Sequence, residues 1–119
     1  MRVLLKMSLE GLPPSVNEMY GISKRRKYKS SEVDKWQWKT VTDFKKNYRA
    51  ETYTGDAEIK ITLQTKSKRR WDIDNRVKAL QDCLQFAGVI ENDAQVQKLE
   101  VERIYTNKDV TLIEVIARE

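Results

Sequence analysis

The chain has 119 residues and a mass of 14.0 kDa, with 39% hydrophobic and 34% charged residues, enough for one domain around one core. It holds no histidine and a single cysteine, Cys83. A histidine base, a Ser-His-Asp triad, an intrachain disulfide and a cysteine-rich zinc site are therefore excluded, and chemistry must run on carboxylates, Lys, Arg, hydroxyls and bound cations.

The net charge of +5 is unevenly placed. Residues 1–70 carry 17 Lys/Arg against 8 Asp/Glu, and residues 71–119 carry 6 against 10. Two clusters dominate, Lys24-Arg25-Arg26-Lys27-Tyr28-Lys29 and Lys66-Ser67-Lys68-Arg69-Arg70. Such runs suit a polyanion, because neutralising phosphates releases counterions, although solvated loops carry similar charge. No stretch approaches the ~20 apolar residues of a membrane span. The apolar run in Met1–Lys6 is too short for an export signal, and with one unpaired cysteine a cytoplasmic location is expected.

Residues 3–9 alternate, with Val3, Leu5, Met7 and Leu9 on one face of an expected strand. Gly11-Leu12-Pro13-Pro14 ends it, since proline cannot donate to a ladder. Residues 15–30 show no period and read as an exposed loop. Ser30 or Ser31 can cap a helix with Glu32 and Asp34 in its first turn. Val33, Trp36, Thr40, Phe44 and Tyr48 then follow at helical spacing to about Arg49, with Trp38 off the stripe.

Thr54-Gly55-Asp56 is a turn, and Ala57, Ile59, Ile61 and Leu63 alternate with polar residues in a second strand. Ile73, Val77, Leu80, Leu84 and Ala87 predict a helix over 74–87, stopped by Gly88 and burying Cys83 as a small hydrophobe. Val96–Tyr105 is rich in strand formers with imperfect alternation, which predicts a bulge or burial on both faces. Thr106–Asp109 is expected as a hairpin turn into a last strand, Val110–Ala117. The β-α-β-α-β-β order predicts a single α/β domain with a mixed sheet and helices packed on it.

The segment Arg70-Trp71-Asp72-Ile73-Asp74-Asn75-Arg76-Val77-Lys78 carries the chemistry. Asp72 and Asp74 sit two apart where a loop enters a helix, and in extended backbone such residues share a side. Paired carboxylates repel unless a cation sits between them, and oxygen-only ligation suits Mg²⁺ or Mn²⁺. Lys78, one helical turn beyond Asp74, brings positive charge useful against a phosphate. Alternatively, one Asp caps the helix, and Asp74 with Lys78 forms a surface ion pair worth ~0.3–0.5 kcal/mol. A cap needs one acid, so the second, following four basic residues in five, stays unexplained. Asp93 is the best third ligand and Glu91 the next, though Asp93 also suits a turn that stabilises its own backbone.

Three stretches together resemble the RusA-type Holliday junction resolvases: Arg69–Asn75, Lys78–Asp82 and Gly88–Val96. They reproduce a basic run, an Asp-x-Asp-Asn, a Lys four residues after the second Asp, and an acidic turn ending Asp-x-Gln-Val. Leu12–Tyr20 is similar to the family's Pro-Pro-Ser-x-Asn segment. The resemblance implies a homodimeric, Mg²⁺-dependent endonuclease, with Mn²⁺ as a substitute, that cuts four-way junction DNA by paired nicks. No membrane and no organic cofactor are expected, and a prophage setting is common in the family. By the same analogy Asp72, Asp74 and Asp93 are metal ligands and Lys78 is the catalytic lysine. Lys66, Lys68, Arg69, Arg70 and Arg76 are expected to hold the DNA backbone near the site, and Lys24, Arg25, Arg26 and Lys27 to hold an outer arm.

Two positions depart from the family pattern. Asn92 stands where an Asp is frequent, and Trp71 stands where an Arg is frequent. Trp71 can stack on a base or pack on the scaffold. A non-catalytic protein that binds branched DNA is the other function carried forward. A small RNA-binding α/β domain fits the charge and aromatics but leaves the three acids without a role.

Overall fold

The computed structural model describes residues 1–16 and 31–119. The basic cluster with Lys24, Arg25, Arg26 and Lys27, the helix-capping candidate Ser30, and the Asn17–Tyr20 part of the family-like segment lie outside the described residues.

Four strands form one mixed sheet: β1 (Arg2–Glu10), β2 (Ala57–Thr65), β3 (Val96–Tyr105) and β4 (Val110–Ala117), in the order β1-β4-β2-β3. β4 is antiparallel to both β1 and β2, and β3 is parallel to β2. Two helices, α1 (Ser31–Asn47) and α2 (Val77–Phe86), contribute to the core with one face of this sheet. The expected α/β class and element order are found. Among the described residues no helix is long and apolar enough to cross a membrane.

The core follows from the patterning. Ile59, Ile61 and Leu63 of β2 lie in register with Val115, Ile113 and Thr111 of β4, and Leu5 and Leu9 of β1 continue two of these rows. All are nearly or fully buried. From α1 the stripe presents Val33, Thr40 and Phe44, while acidic residues start the helix and Lys45 and Lys46 end it, each complementing the helix dipole. From α2 come Val77, Ala79, Leu80, Cys83 and Leu84. Trp38, off the stripe, is 76% exposed.

Three local readings are corrected. Val3 does not share a face with Leu5, because Val3 pairs with Ile116 and Leu5 with Val115, leaving Leu4 as an extra residue. A bulge of this kind flips the side-chain phase, and Val3 is left exposed. Thr106–Asp109 is not a hairpin turn, since β2 lies between β3 and β4. The turn instead crosses the end of β2, where the Thr106 amide donates to the Thr65 carbonyl at 2.9 Å. Finally, α2 begins at Val77 rather than Asp74, because Ile73–Arg76 forms a separate 3-10 turn.

The stop at Gly88 is as expected. With φ of 77° it takes a left-handed conformation that few other residues adopt easily. Its amide donates to the Gln85 carbonyl at 3.0 Å and that of Val89 to Leu84 at 2.9 Å, so the last carbonyls of α2 are satisfied. The imperfect alternation of β3 has the bulge as one cause, as Ala57 pairs with Val96 but Glu58 with Lys98. The other is position: β3 is an edge strand, and most of it is exposed.

Candidate functional site

The C-terminal end of β2 leads into Lys66–Lys78, the segment that holds Lys66, Lys68, Arg69, Arg70, Asp72, Asp74, Arg76 and Lys78. Past Thr65 the loop is shaped by its own hydroxyls. The Ser67 amide donates to Thr65 Oγ1 and the Arg69 amide to Ser67 Oγ, both at 3.2 Å. The Lys66 amide donates to Asp109 Oδ1 at 2.9 Å, which ties this loop to the β3–β4 turn. Lys66, Lys68, Arg69 and Arg70 are all exposed, and among the described residues none is paired with an acid.

Asp72 follows in extended backbone and opens the 3-10 turn that contains Asp74. Both residues are exposed. The Asp72 carbonyl accepts the Asn75 amide, but its carboxylate makes no capping bond. Helix capping therefore does not account for the Asp72 side chain. Because Asp74 is already within the turn, the two acids lie on either side of a corner and do not follow one another along extended chain.

Trp71 packs on the scaffold. The guanidinium of Arg76 lies 4.7 Å from its ring centre and that of Arg103 lies 4.9 Å away. The ring also packs against the core. Arg103 donates to the Trp71 carbonyl at 2.7 Å, and Arg76 donates to the Pro13 carbonyl at 2.7 Å. Arg76 Nε is buried with no partner among the described residues. Arg76, expected on the DNA, thus spends its planar group joining Trp71 to the Pro13 segment.

Arg103 was not foreseen, although a signal existed. It continues the helix-side phase of β3 after Leu99 and Val101, where an apolar residue is the norm. A cation at such a position breaks the apolar row, and here it is held to Trp71, the residue before Asp72.

Lys78 lies in the first turn of α2, and its ammonium is 3.0 Å from Asp82 Oδ1. That contact runs one turn forward along the helix, away from the acids.

Asp93 sits elsewhere. It begins the 3-10 turn Asp93–Gln95, where Asn92 is the cap: its side chain accepts the Ala94 amide at 2.7 Å. Gln95 Oε1 accepts the Glu91 and Asn92 amides, each at 2.8 Å. Gln95 Nε2 donates to the Tyr53 and Gly55 carbonyls at 2.8 and 2.9 Å. Asn92 thus does the local backbone work that Asp93 was equally suited to do, and none of these bonds uses the Asp93 carboxylate. They fasten this turn to the chain just before β2, at the end of the sheet opposite Asp72.

Among the described residues no three acids converge into a cation-holding group. Asp72 and Asp74 supply hard oxygen donors suited to a divalent cation, but a single chain does not bring Asp93 or Glu91 to them. Within this chain the three acids do not come together.

The comparisons with known proteins agree on one group. The family model described as Endodeoxyribonuclease RusA matches residues 10–116. The chain is 26% identical over 113 residues to "Crossover junction endodeoxyribonuclease RusA" of Aquifex aeolicus (strain VF5), covering 93% of this chain and 90% of that relative.

Proposed function

The chain belongs to the RusA family of endodeoxyribonucleases, and on that premise we propose that it is a divalent-cation-dependent nuclease that resolves four-way DNA junctions by paired nicks. The supporting observation is the exposed pair Asp72 and Asp74, whose leading carboxylate has no capping role, placed directly after the exposed run Lys66–Arg70. The name of the Aquifex aeolicus relative points to crossover junctions as the substrate class.

The residues divide the work by charge. Lys66, Lys68, Arg69 and Arg70 hold phosphates of an arm and offset the field of the acids, which alone would repel DNA. Arg76 and Arg103 hold Trp71, and through it the start of the acidic corner. Lys78 meets charge developing on the scissile phosphate. Mg²⁺, or Mn²⁺ in its place, would supply electrophilic stabilisation of the phosphoryl oxygens when bound by Asp72 and Asp74. A homodimer matches the two symmetry-related strands of a junction.

The test is cleavage of a labelled four-way junction beside a matched linear duplex, in Mg²⁺ and in EDTA, with Asp72→Asn beside wild type. Symmetric nicks confined to the junction, lost in EDTA and in the variant, are expected. Binding without nicks in Mg²⁺ or Mn²⁺ would replace this reading with a non-catalytic branched-DNA-binding protein.

A further inference from the structure

Among the described residues, Trp38 and Phe86 are the aromatic rings left most open to solvent, at 76% and 57% exposure. They belong to one patch. Trp38 of α1 and Phe86 of α2 line a shallow groove together with Val41 and Lys45. On its other side Trp38 lines a second groove with Lys35, Lys39 and Lys46. Because α1 sends Val33, Thr40 and Phe44 into the core, this face looks outward. Neither groove includes a residue of Lys66–Lys78.

Packing does not account for Trp38. Trp36, two positions earlier, packs against the core, whereas Trp38 stands clear of it. Its ring has no cation or aromatic partner among the described residues. Adjoining exposed aromatics of this kind mark a place where something binds.

The surrounding charge narrows the choice. Four lysines share the two grooves with two acids, Asp34 and Asp43. Lys39 lies 3.5 Å from Asp43, while Lys35, Lys45 and Lys46 have no acid partner among the described residues. Lysines are depleted from the centres of protein–protein interfaces, so a second protein chain is a poor match. Lys35, Trp38, Thr42 and Lys45 recur at spacings of three and four, the repeat of one helix face. Lys35 and Lys46 stand about 16 Å apart along the axis at 1.5 Å per residue, with the indole between them.

We propose that this face binds single-stranded DNA, with Trp38 stacked on a base and Lys35, Lys45 and Lys46 on the neighbouring phosphates. A single strand offers base faces and phosphates side by side, the combination that an aromatic ring among cations takes up. A duplex hides its base faces in the stack, so it can use the lysines but not the indole. Phe86 gives an adjoining base an apolar wall. Strand binding stands without the nuclease reading. Holding an unpaired arm of a branched substrate, outside the acidic corner, rests on it.

The test is the anisotropy of a labelled oligo-dT titrated with the full chain. Wild type should bind it more tightly than a duplex of equal length. Trp38→Ala should bind it about tenfold less tightly, the loss expected for one stacked base, and Trp38→Phe should recover part of that loss. In a Lys35→Ala, Lys46→Ala double variant the slope of log K against log salt should become shallower by about 1.4, at ~0.7 per single-strand phosphate contact. Nicking of a fully paired junction by Trp38→Ala should match wild type. Equal affinity of wild type and Trp38→Ala for oligo-dT overturns the proposal, as does a duplex bound as tightly as the single strand. A wild-type dimer that dissociates in Trp38→Ala makes the face a contact between copies instead. A junction left uncut by wild type counts against the nuclease reading alone.

Discussion

Arg103 grips Trp71 twice, donating to its carbonyl at 2.7 Å while its guanidinium lies 4.9 Å from the ring centre. A strand residue thereby fixes the backbone immediately before Asp72. Arg103→Ala removes both contacts, a charged hydrogen bond worth about 1.5–3 kcal/mol and a cation–π contact worth about 0.5–2 kcal/mol. The expected result is a lower melting temperature together with a larger fall in junction cutting. Arg103→Lys should recover little of either, because an ammonium lacks the planar fork. Thermal melts and single-turnover cleavage on the same preparations check this. A wild-type cleavage rate in Arg103→Ala would remove Arg103 from the site.

Asp72→Asn keeps the shape of the side chain and loses its charge. Nicking should fall by several orders of magnitude while junction binding holds or tightens, since a negative charge facing DNA has gone. Gel-shift and cleavage assays run in parallel separate the two effects.

Lys78→Ala should lose most turnover with little change in junction affinity, because the amine acts on charge that develops in the transition state. The lost Lys78–Asp82 contact is an ordinary pair one turn apart and costs only about 0.3–0.5 kcal/mol of stability. A turnover number unchanged under saturating DNA would exclude Lys78 from the mechanism.

Arg69→Ala should weaken binding to junctions and duplexes alike. The slope of log K against log salt should become shallower by about one. A slope that does not move means that Arg69 contacts no phosphate.

Glu58 gives the stability its acid dependence. Its carboxylate, nearly buried on β2, accepts from Arg118 Nε at 2.6 Å, and this bond holds its pKa below the ordinary glutamate value despite the opposing effect of burial. Arg2 acts on Glu119 in the same direction. Above about pH 4.3, the unfolded value, both states are ionised and the contribution is complete. As pH falls further the unfolded chain takes up the proton first, so stability declines until the folded carboxyl also titrates. Urea midpoints should therefore drop below about pH 4.3, and Glu58→Gln should flatten part of that drop.

Much of this was legible in the sequence. Alternation located β2, and the stripe from Val33 to Tyr48 located α1, because burial on one face imposes its period on the residues. The failures share a cause. Leu4 carries no mark of the bulge that turns Val3 away from Leu5, since an extra residue in a strand looks like any other. Thr106–Asp109 reads as a hairpin because its length suits one, and only the pairing of β2 with both neighbours forbids it. Asp72 and Asp74 stand out in the sequence as two carboxylates following a basic run, and the structure leaves both exposed. The distance to Asp93 does not show there, because it depends on the direction of β3, and a parallel strand places its start far from the end of the strand before it. Asn92 looked like a weakened acid in sequence, whereas in the structure it caps a turn.

The placement of β4 also bears on how the molecule is made. β1 pairs with β4 alone in the sheet, and β4 fills the gap between β1 and β2. During synthesis β1 emerges first and has no strand to join until residues 110–117 have left the ribosome. Until then the core face of β1, with Leu5 and Leu9, has no place in the sheet, although β2 and β3 can already pair with each other. Chains that stop short of residue 110 should leave β1 exposed to chaperones, and β4 completes the sheet as a late event by joining β1 to β2.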